Sequence, residues 1–470
     1  MCGIAGIMVG QGADLDQSIL RRMTDALTHR GPDGEGFYLG NYVGFGHRRL
    51  SIIDIDGGAQ PMHSQDKKLI LTYNGEIYNF QSLRRELEGL GHHFITQCDT
   101  EVVIHAYEQW GTDCVSRLRG MFAFAMWDTR KNQLFLARDR LGIKPLYYGT
   151  MADGSFVFGS ELKALLEHPA CKRKLRLDAM EDFLTLGYVP NPKSIVAGIH
   201  TLDPAHVLVK TYGTVGHRTE CYWTPDMETR PSVVADEAEL MDRLGEAVKM
   251  RMIADVPLGA FLSGGVDSSS IVGLMGKFSK NPVETCSIGS EDQDFDESGF
   301  AQSIADYFGT HHRLRLMSPQ EGVGLVDTLA KVYDEPFADL SAIPTYRVCS
   351  LAREKVTVAL SGDGGDELFA GYRRHKFHML EERFRAPIPL ALRRLIFGPL
   401  AKYYPKLDRA PQFLRGKSTF EALARSSAEA YCQSVSKTPD RERYRLHTPK
   451  MTKMLAGYHP HERFNQLADE

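Results

Sequence analysis

The chain has 470 residues, 43% of them hydrophobic and 25% charged, and a formal net charge of −4. That length exceeds one ordinary core and predicts two or three domains, while the charge balance leaves no basic footprint for nucleic acid. No apolar run reaches bilayer length, the N-terminus lacks the basic and apolar regions of a signal peptide, and the eight cysteines include no CxxC pair, so no membrane, zinc site or disulfide framework is expected and the expected compartment is the cytoplasm.

The chain opens Met1-Cys2-Gly3. Removal of Met1 would make Cys2 the N-terminal residue and place a thiol and a free α-amino group on one carbon skeleton. A thiol is strongly nucleophilic only as thiolate, and an α-amine is partly unprotonated near neutral pH. One residue then supplies both nucleophile and base, as in N-terminal Thr catalysts. On position alone, a buried apolar cysteine is the blander alternative.

Short apolar runs follow: Cys2–Met8, Val43–Gly46, Leu50–Asp54, Leu69–Asn74, Met121–Trp127, Gln133–Arg138 and Phe156–Gly159. Turn residues separate them, so they read as strands. Gln81–Leu90, after a capping Asn79, and Thr100–Trp110, after Asp99, read as helices. The pattern predicts two packed sheets with helices outside, an α+β architecture over residues 1–200.

Polar groups sit where these strands end: His29-Arg30-Gly31-Pro32-Asp33, His47-Arg48-Arg49 and Tyr73-Asn74-Gly75-Glu76. A guanidinium can grip an α-carboxylate through two bonds, and Glu76 or Asp99 can receive an α-ammonium. Asn74 Nδ2 and the Gly75 N–H can hold the oxyanion formed when Cys2 attacks an amide carbonyl, with glycine at 75 admitting a close backbone approach to the substrate. Taken singly, Asn-Gly is a common hairpin turn, a strand-start Arg is a surface residue, and Asp99 is a helix cap.

Met-Cys-Gly-Ile-Ala-Gly, Arg-Gly-Pro-Asp, Arg-Arg-Leu-Ser-Ile-Ile-Asp, Tyr-Asn-Gly-Glu-Ile-Tyr-Asn and Gly-Met-Phe-Ala-Phe-Ala together resemble, in this order, the N-terminal-nucleophile glutaminase domain of class II glutamine amidotransferases. The resemblance covers residues 1–165. It implies that Cys2 is the nucleophile, that Asn74 and Gly75 form the oxyanion hole, that Arg49, Glu76 and Asp99 hold glutamine, and that Leu50, Ser51, Ile52 and Ile53 line its pocket. The charged turn Arg138–Tyr147 also looks like this family and reads as structural or domain-contacting.

Residues 201–235 mix Pro, Gly, Thr and charge, as in Asp203-Pro204 and Arg230-Pro231-Ser232, and read as a hairpin-like or irregular connector. A helical pattern opens at Asp236-Glu237 and runs to Met252. Val256–Leu262 is of strand length, Ser263-Gly264-Gly265-Val266-Asp267-Ser268-Ser269 follows, and Ile271–Phe278 repeats at helical spacing. Glycine N–H groups backed by a helix N-terminus make an anion cradle. A carboxylate at 267 beside phosphates calls for Mg²⁺ between them. No Lys follows the glycines, so this is not a GxxxxGK[ST] loop.

Val283–Ile288, Glu297–Phe308, His311–Leu316, Gln320–Val332 and Val356–Leu360 continue the strand–helix alternation and predict a doubly wound parallel α/β sheet over residues 236–470, with ligands at the strand C-termini. A second glycine loop, Ser361-Gly362-Asp363-Gly364-Gly365-Asp366-Glu367, closes the last strand, and its crowded acids call for a compensating cation. Residues 334–339 and 341–345 are placed to line an acceptor pocket. Beyond Tyr372 the chain is basic and helical, with Leu390–Phe397 and Phe420–Ala430 as the clearest helices.

These strings, and the order of the two domains, resemble glutamine-hydrolysing asparagine synthetase, whose second domain is an ATP pyrophosphatase. The resemblance implies ATP contacts from Leu262, Ser263, Gly264, Gly265, Asp267, Ser268, Ile288, Ser361 and Gly362. It implies Mg²⁺ at Asp267 and Asp366, and a role for Asp363, with Glu367 nearby, toward the adenylated intermediate. The family's later Arg-x-Pro-Phe-Leu-Asp segment and phosphate-side Lys do not occur here, which reads as a C-terminal truncation.

The expected reaction is amide transfer that consumes glutamine and ATP, with aspartate as the acceptor and asparagine, AMP and pyrophosphate as products. Two alternatives are the same chemistry on another carboxylate, such as a surface-polysaccharide precursor, and a glutamine-binding regulatory protein with an inert second domain. The sequence leaves a homodimer open.

Overall fold

The computed structural model describes residues 1–227, 236–405 and 416–469. Sixteen strands occur among them: β1 Gly3–Met8, β2 Gly34–Leu39, β3 Val43–Arg49, β4 Met62–His63, β5 Leu69–Ile77, β6 Gly120–Asp128, β7 Gln133–Arg138, β8 Tyr147–Thr150, β9 Phe156–Gly159, β10 Ile199–Thr201, β11 His206–Thr211, β12 Arg218–Cys221, β13 Leu258–Phe261, β14 Glu284–Ser290, β15 His311–Met317 and β16 Val358–Leu360. By compactness the chain falls into two units, one of Met1–Lys174, Asn191–Asp334 and Leu340–Gly362, the other of Leu175–Pro190, Glu335–Asp339 and Asp363–Glu470.

Within the first unit, two antiparallel sheets, ordered β10-β8-β9-β1-β3-β2 and β12-β11-β7-β6-β5-β4, stack face to face. The twofold alternation of strand side chains divides the apolar residues among three layers. Ile4 and Met8 of β1 join Phe45, Phe158, Ile70, Ala123 and Ala125 between the sheets. Ala5 and Ile7 face outward against Leu20, Met23 and Leu165. Leu69, Leu71 and Tyr73 face the other way, against Val102, Val103 and Tyr107 of the helix Asp99–Trp110. Strands buried on both faces read as continuous apolar runs, which is why these runs were legible without alternation. The helix Gln17–Asp25 had no such signal; it starts at Asp16, whose carboxylate accepts the Ser18 N–H at 2.7 Å.

Leu50–Asp54, expected as a strand, is irregular. Its backbone groups bond to side chains and to a distant loop rather than to a ladder. Leu50 meets the Cys2 sulfur, the Ser51 N–H donates to Asp33, the Ile52 carbonyl accepts from the Asp255 N–H, and the Asp54 N–H donates to the Asp255 carboxylate. Residues 206–221, inside the stretch read as a hairpin-like connector, form the β11–β12 hairpin, and β11 pairs with β7. Arg230, Pro231 and Ser232 lie outside the described residues.

The same unit carries a four-stranded parallel sheet ordered β15-β14-β13-β16. Helices cover both faces, as the doubly wound expectation requires. Ala260 and Leu262 pack with Val248, Val272 and Met275 on one side, and Phe261 and Cys286 with Leu351 and Ala352 on the other. The chain winds outward from β13 to β15 and returns to β16 on the opposite side of β13. The adjacent strands β13 and β16 therefore flank the topological switch point, where open α/β sheets bind ligands.

The second unit is helical. Phe420–Ala430, expected as one helix, is two, Lys417–Leu423 and Ser427–Val435. Ser426 starts the second with a capping box, its side chain accepting from Glu429 N–H while Glu429 accepts from Ser426 N–H. Arg443 and Glu181 are both fully buried and paired with each other. No helix among the described residues is long and apolar enough to cross a membrane.

Candidate active site

Cys2 immediately precedes β1, and the ladder fixes it. Ile4 N–H donates to Ser160 Oγ at 3.0 Å, and Arg30 Nε donates to the Cys2 carbonyl at 2.9 Å. Arg30 is in turn held by Glu161 at 2.7 Å. The sulfur lies 3.4 Å from Leu50 N and 3.6 Å from Leu50 O. Burial raises the thiol above its ordinary range, against the Leu50 hydrogen bond and the nearby α-amine and cations. The α-amine of Met1, also buried, is lowered to about 5.

A cavity of about 320 Å³ opens beside the sulfur. The structure brings to it Cys2, Arg49, Leu50, Ile52, Ile53, Asn74, Gly75, Glu76 and Asp99 of the residues expected there. Ser51 does not line it. The Arg49 guanidinium is seated by two loop carbonyls, Ile55 O at 2.6 Å and Asp54 O at 2.7 Å. Asp99 does not cap its helix through its side chain; Oδ2 accepts from Tyr73 OH and from Ile77 N–H, both at 2.9 Å. Asn79, expected as a cap, bonds instead to the Arg117 carbonyl and the Arg119 N–H.

Asn74 is 1% exposed, and its Nδ2 has no hydrogen-bond partner among the described residues. A buried amide donor left unpaired on a cavity wall is rare, because it forgoes its full solvation energy. Gly75 has a structural reason to be glycine beside substrate approach. A Cβ there would stand 2.3 Å from the Met121 carbonyl oxygen on β6, so the neighbouring strand excludes any side chain.

Glu76 is raised to about 7, chiefly by burial, with Lys144 opposing the shift and Asp99 adding to it. Lys144 lies in the stretch read as structural, yet it lines the cavity at 3% exposure. Gln60 and Cys98 line it as well. Gln60 stands here because its Oε1 accepts from Tyr73 N–H at 2.8 Å and its Nε2 reaches Thr100 Oγ1 at 3.3 Å. Thr357, Val358 and Ala359, leading into and along β16, complete the wall.

The second expected site begins where β13 ends. Ser263 Oγ and Ser268 Oγ are 2.9 Å apart, Ser263 N–H donates to Ser268 Oγ at 3.2 Å, and Gly265 N–H to Ser263 Oγ at 3.3 Å. Leu262 N–H is tied to the Cys286 carbonyl on β14, the strand that carries Ile288. Gly265 is the N-cap of the helix Val266–Phe278, with Asp267 in its first turn. Ser361 and Gly362 follow β16. A Cβ at Gly362 would stand 2.8 Å from Ser268 N, so Gly362 lies directly against that helix N-terminus. The N-terminal N–H groups of this helix and the hydroxyls beside them suit an anion. The Asp267 carboxylate accepts no hydrogen bond among the described residues, and carboxylate oxygen is the donor Mg²⁺ prefers, so the residues present fit Mg-nucleotide. Asp363, Asp366 and Glu367 belong to the second unit, where the helix Gly365–Leu368 carries the latter two and Glu367 accepts from Tyr372 OH at 2.6 Å.

A glutamine amidotransferase domain family matches residues 1–223, and an asparagine synthase family matches residues 239–466. Glutamine-hydrolysing asparagine synthetase 1 of Bacillus subtilis is 36% identical over 430 residues, covering 90% of this chain and 65% of that protein. A putative glutamine-hydrolysing asparagine synthetase 2 of Methanocaldococcus jannaschii is 40% identical over 403 residues, covering 80% of this chain and 76% of that protein. A putative glutamine-hydrolysing asparagine synthetase of Mycobacterium tuberculosis is 34% identical over 459 residues, covering 92% and 68%. The chain belongs to the glutamine-hydrolysing asparagine synthetase family.

Proposed function

We propose that the chain hydrolyses glutamine at Cys2 and delivers the ammonia to an ATP-activated carboxylate, that of aspartate, to give asparagine, AMP and pyrophosphate. The observation that carries the first half is the unpaired, buried Asn74 Nδ2 on the same cavity wall as the Cys2 sulfur. A donor kept without a ground-state partner is free to act on charge that appears only during reaction, which is where transition-state stabilisation is gained.

In this reading the Cys2 thiol gives its proton to the α-amine exposed when Met1 is removed, and the thiolate so formed attacks the glutamine side-chain amide. Asn74 Nδ2 and the Gly75 N–H receive the oxyanion. The α-ammonium returns the proton to the amide nitrogen, the C–N bond breaks to release ammonia as the thioester forms, and water then cleaves the thioester to give glutamate and the free thiol. Arg49 takes the α-carboxylate, Glu76 and Asp99 the α-ammonium, and the backbone of Leu50–Ile53 the side of the substrate.

For the second half, the Ser263–Ser268 loop, Leu262, Ile288, Ser361 and Gly362 bind ATP, and Asp267 and Asp366 would hold Mg²⁺. The ion, when bound, neutralises charge on the phosphate oxygens. Adenylation turns the acceptor carboxylate oxygen into a good leaving group, and Asp363 is the acid that the family resemblance assigns to that intermediate. The family relationship and the anion cradle at the switch point support this.

The test is glutamate release and AMP formation by wild type and Cys2→Ala. The variant is expected to lose glutamine hydrolysis and to retain amide formation from ammonium, ATP and aspartate. Hydrolysis at the wild-type rate in Cys2→Ala would overturn the assignment, and amide formation with a different carboxylate but not aspartate would replace the acceptor.

A further inference from the structure

Lys144 is almost wholly buried, and among the described residues its ammonium forms no ion pair with any carboxylate. Its Nζ lies 3.0 Å from Met1 Sδ, a weak acceptor on a residue that the proposed chemistry requires to be removed. A buried ammonium with no direct ion pair, drawn chiefly by Glu76 beyond ion-pair distance, is costly, and the turn that carries it is firmly held. The Asp139 carboxylate accepts from the N–H groups of Leu141, Ile143 and Lys144 at 3.1, 2.9 and 2.9 Å and from Phe122 N–H at 3.1 Å. Arg138 Nε donates to the Lys144 carbonyl at 2.9 Å. The turn is thereby clamped with its lysine on the wall of the Cys2 cavity.

We infer that Lys144 is a positioning residue for the amide-hydrolysing step, its ammonium serving as the counter-charge that favours the Cys2 thiolate. The inference rests on the reading of Cys2 as the nucleophile. The other charges around the sulfur are already engaged. Arg30 is paired with Glu161, Arg49 points its guanidinium at the carbonyls of Asp54 and Ile55, and Asp99 is bonded to Tyr73 and Ile77. The Cys98 thiol is itself raised to about 12, mainly by burial. Lys144, the α-amine, Glu76 and Arg49, whose carbonyl partners leave its charge in place, therefore set the local potential. Burial lowers Lys144 to about 8, with Glu76 holding it up, so its charge is present at neutral pH and is lost as pH rises above that value. Without it, a thiol whose burial already opposes ionisation would keep only the Leu50 hydrogen bond, the amine and Arg49 to help it.

The experiment uses the protein with Met1 removal verified by intact mass. Iodoacetamide alkylation of the Cys2 peptide is followed by mass spectrometry across pH 5.5–9.5 (the probe window), beside the pH profile of kcat/KM for glutamine. Lys144→Met is expected to slow Cys2 alkylation at pH 7 roughly tenfold and to move the alkylation midpoint upward, because thiolate fraction controls the rate. Lys144→Arg is expected to stay within about threefold of wild type, since guanidinium keeps its charge. An unchanged midpoint in a folded Lys144→Met would overturn the inference. So would a folded Lys144→Arg whose alkylation at pH 7 slows roughly tenfold, a result that is read against wild type and stands even should Lys144→Met fail to fold. A Lys144-dependent alkylation midpoint in a protein that does not hydrolyse glutamine would overturn the proposed function and with it the hydrolytic role, leaving only the charge coupling of Lys144 to Cys2, whereas glutamine hydrolysis with a Lys144-independent midpoint would overturn this inference alone.

Discussion

The carboxylate of Asp255 accepts the backbone N–H of Asp54 at 2.8 Å, while the N–H of Asp255 donates to the carbonyl of Ile52 at 2.9 Å. This reciprocal pair ties the irregular wall of the Cys2 cavity to the segment that enters β13. The same wall supplies the two carbonyls that seat the Arg49 guanidinium. The position of the arginine thus depends on an aspartate that does not line the cavity.

Asp255→Ala removes a charge-assisted bond worth about 1.5–3 kcal/mol. The loop it held positions a group that grips substrate equally in ground and transition states, so KM for glutamine should rise roughly tenfold with kcat within about twofold of wild type. Steady-state glutaminase kinetics decide it. An unchanged KM in the folded variant would show that the Ile52–Asp54 backbone keeps its shape without that bond.

Adjacent positions on β5 should fail in different ways. Asn74→Ala removes an unpaired donor and leaves no buried group stranded, so the fold should tolerate it while kcat for glutamine falls by about 10²–10³. Gly75→Ala drives a methyl toward the Met121 carbonyl oxygen, 2.3 Å away. It should lower thermal stability by about 1–3 kcal/mol or more through overpacking, whether or not glutamine is present. Differential scanning fluorimetry beside the glutaminase assay separates the two. A stable but inactive Gly75→Ala would restore substrate approach as the reason for glycine.

Much of this arrangement was legible because burial on both faces writes strands as unbroken apolar runs, and because the chemistry clusters in short strings such as Tyr73–Glu76 and Ser263–Ser268. Leu50–Asp54 misled for the same reason. Leu50, Ile52 and Ile53 are apolar because they wall a cavity, and composition does not distinguish a cavity wall from a paired strand. Lys144 was invisible because a lysine is ordinarily a surface residue, and its burial comes from the Asp139 clamp, a tertiary fact. Gly362 could be read as part of a glycine loop, but its contact with Ser268 depends on β16 lying beside β13, which is topology.

Glu76 predicts a pH dependence. Its carboxyl titrates near 4.5 when unperturbed and near 7 in the folded protein. Between those values the folded state holds a proton that the unfolded chain has lost, so this group makes stability fall as pH rises through about 4.5–7, and the cost is complete above 7. Glu76→Gln removes the term. Its stability relative to wild type should improve by on the order of a few kcal/mol between pH 4.5 and pH 8, as read from urea unfolding at each pH. A difference that stays constant with pH would mean that Glu76 ionises normally in the fold.

The last prediction separates the two halves of the proposed reaction. Gly362 stands where the loop after β16 meets the N-terminus of the helix Val266–Phe278, and a Cβ there would lie 2.8 Å from Ser268 N and 2.9 Å from the Asp267 carbonyl carbon. Both contacts are backbone, so no side-chain rotation relieves them. The methyl of Gly362→Ala must push the loop off the helix end or tilt the helix N-terminus, and either shift moves the N–H groups that make the anion cradle. Cradles of this kind act through positions fixed to within about half an ångström, so Mg-ATP affinity and ATP–pyrophosphate exchange should fall at least tenfold. The Cys2 cavity is lined by Thr357, Val358 and Ala359 of the same strand segment but not by Gly362, and glutamine hydrolysis without ATP should remain within about twofold of wild type. Equilibrium binding of Mg-ATP and glutaminase turnover are measured on the same preparation. Loss of glutaminase activity in parallel with ATP binding would show that the substitution disturbs β16 as a whole, and retention of both would place the nucleotide away from this junction.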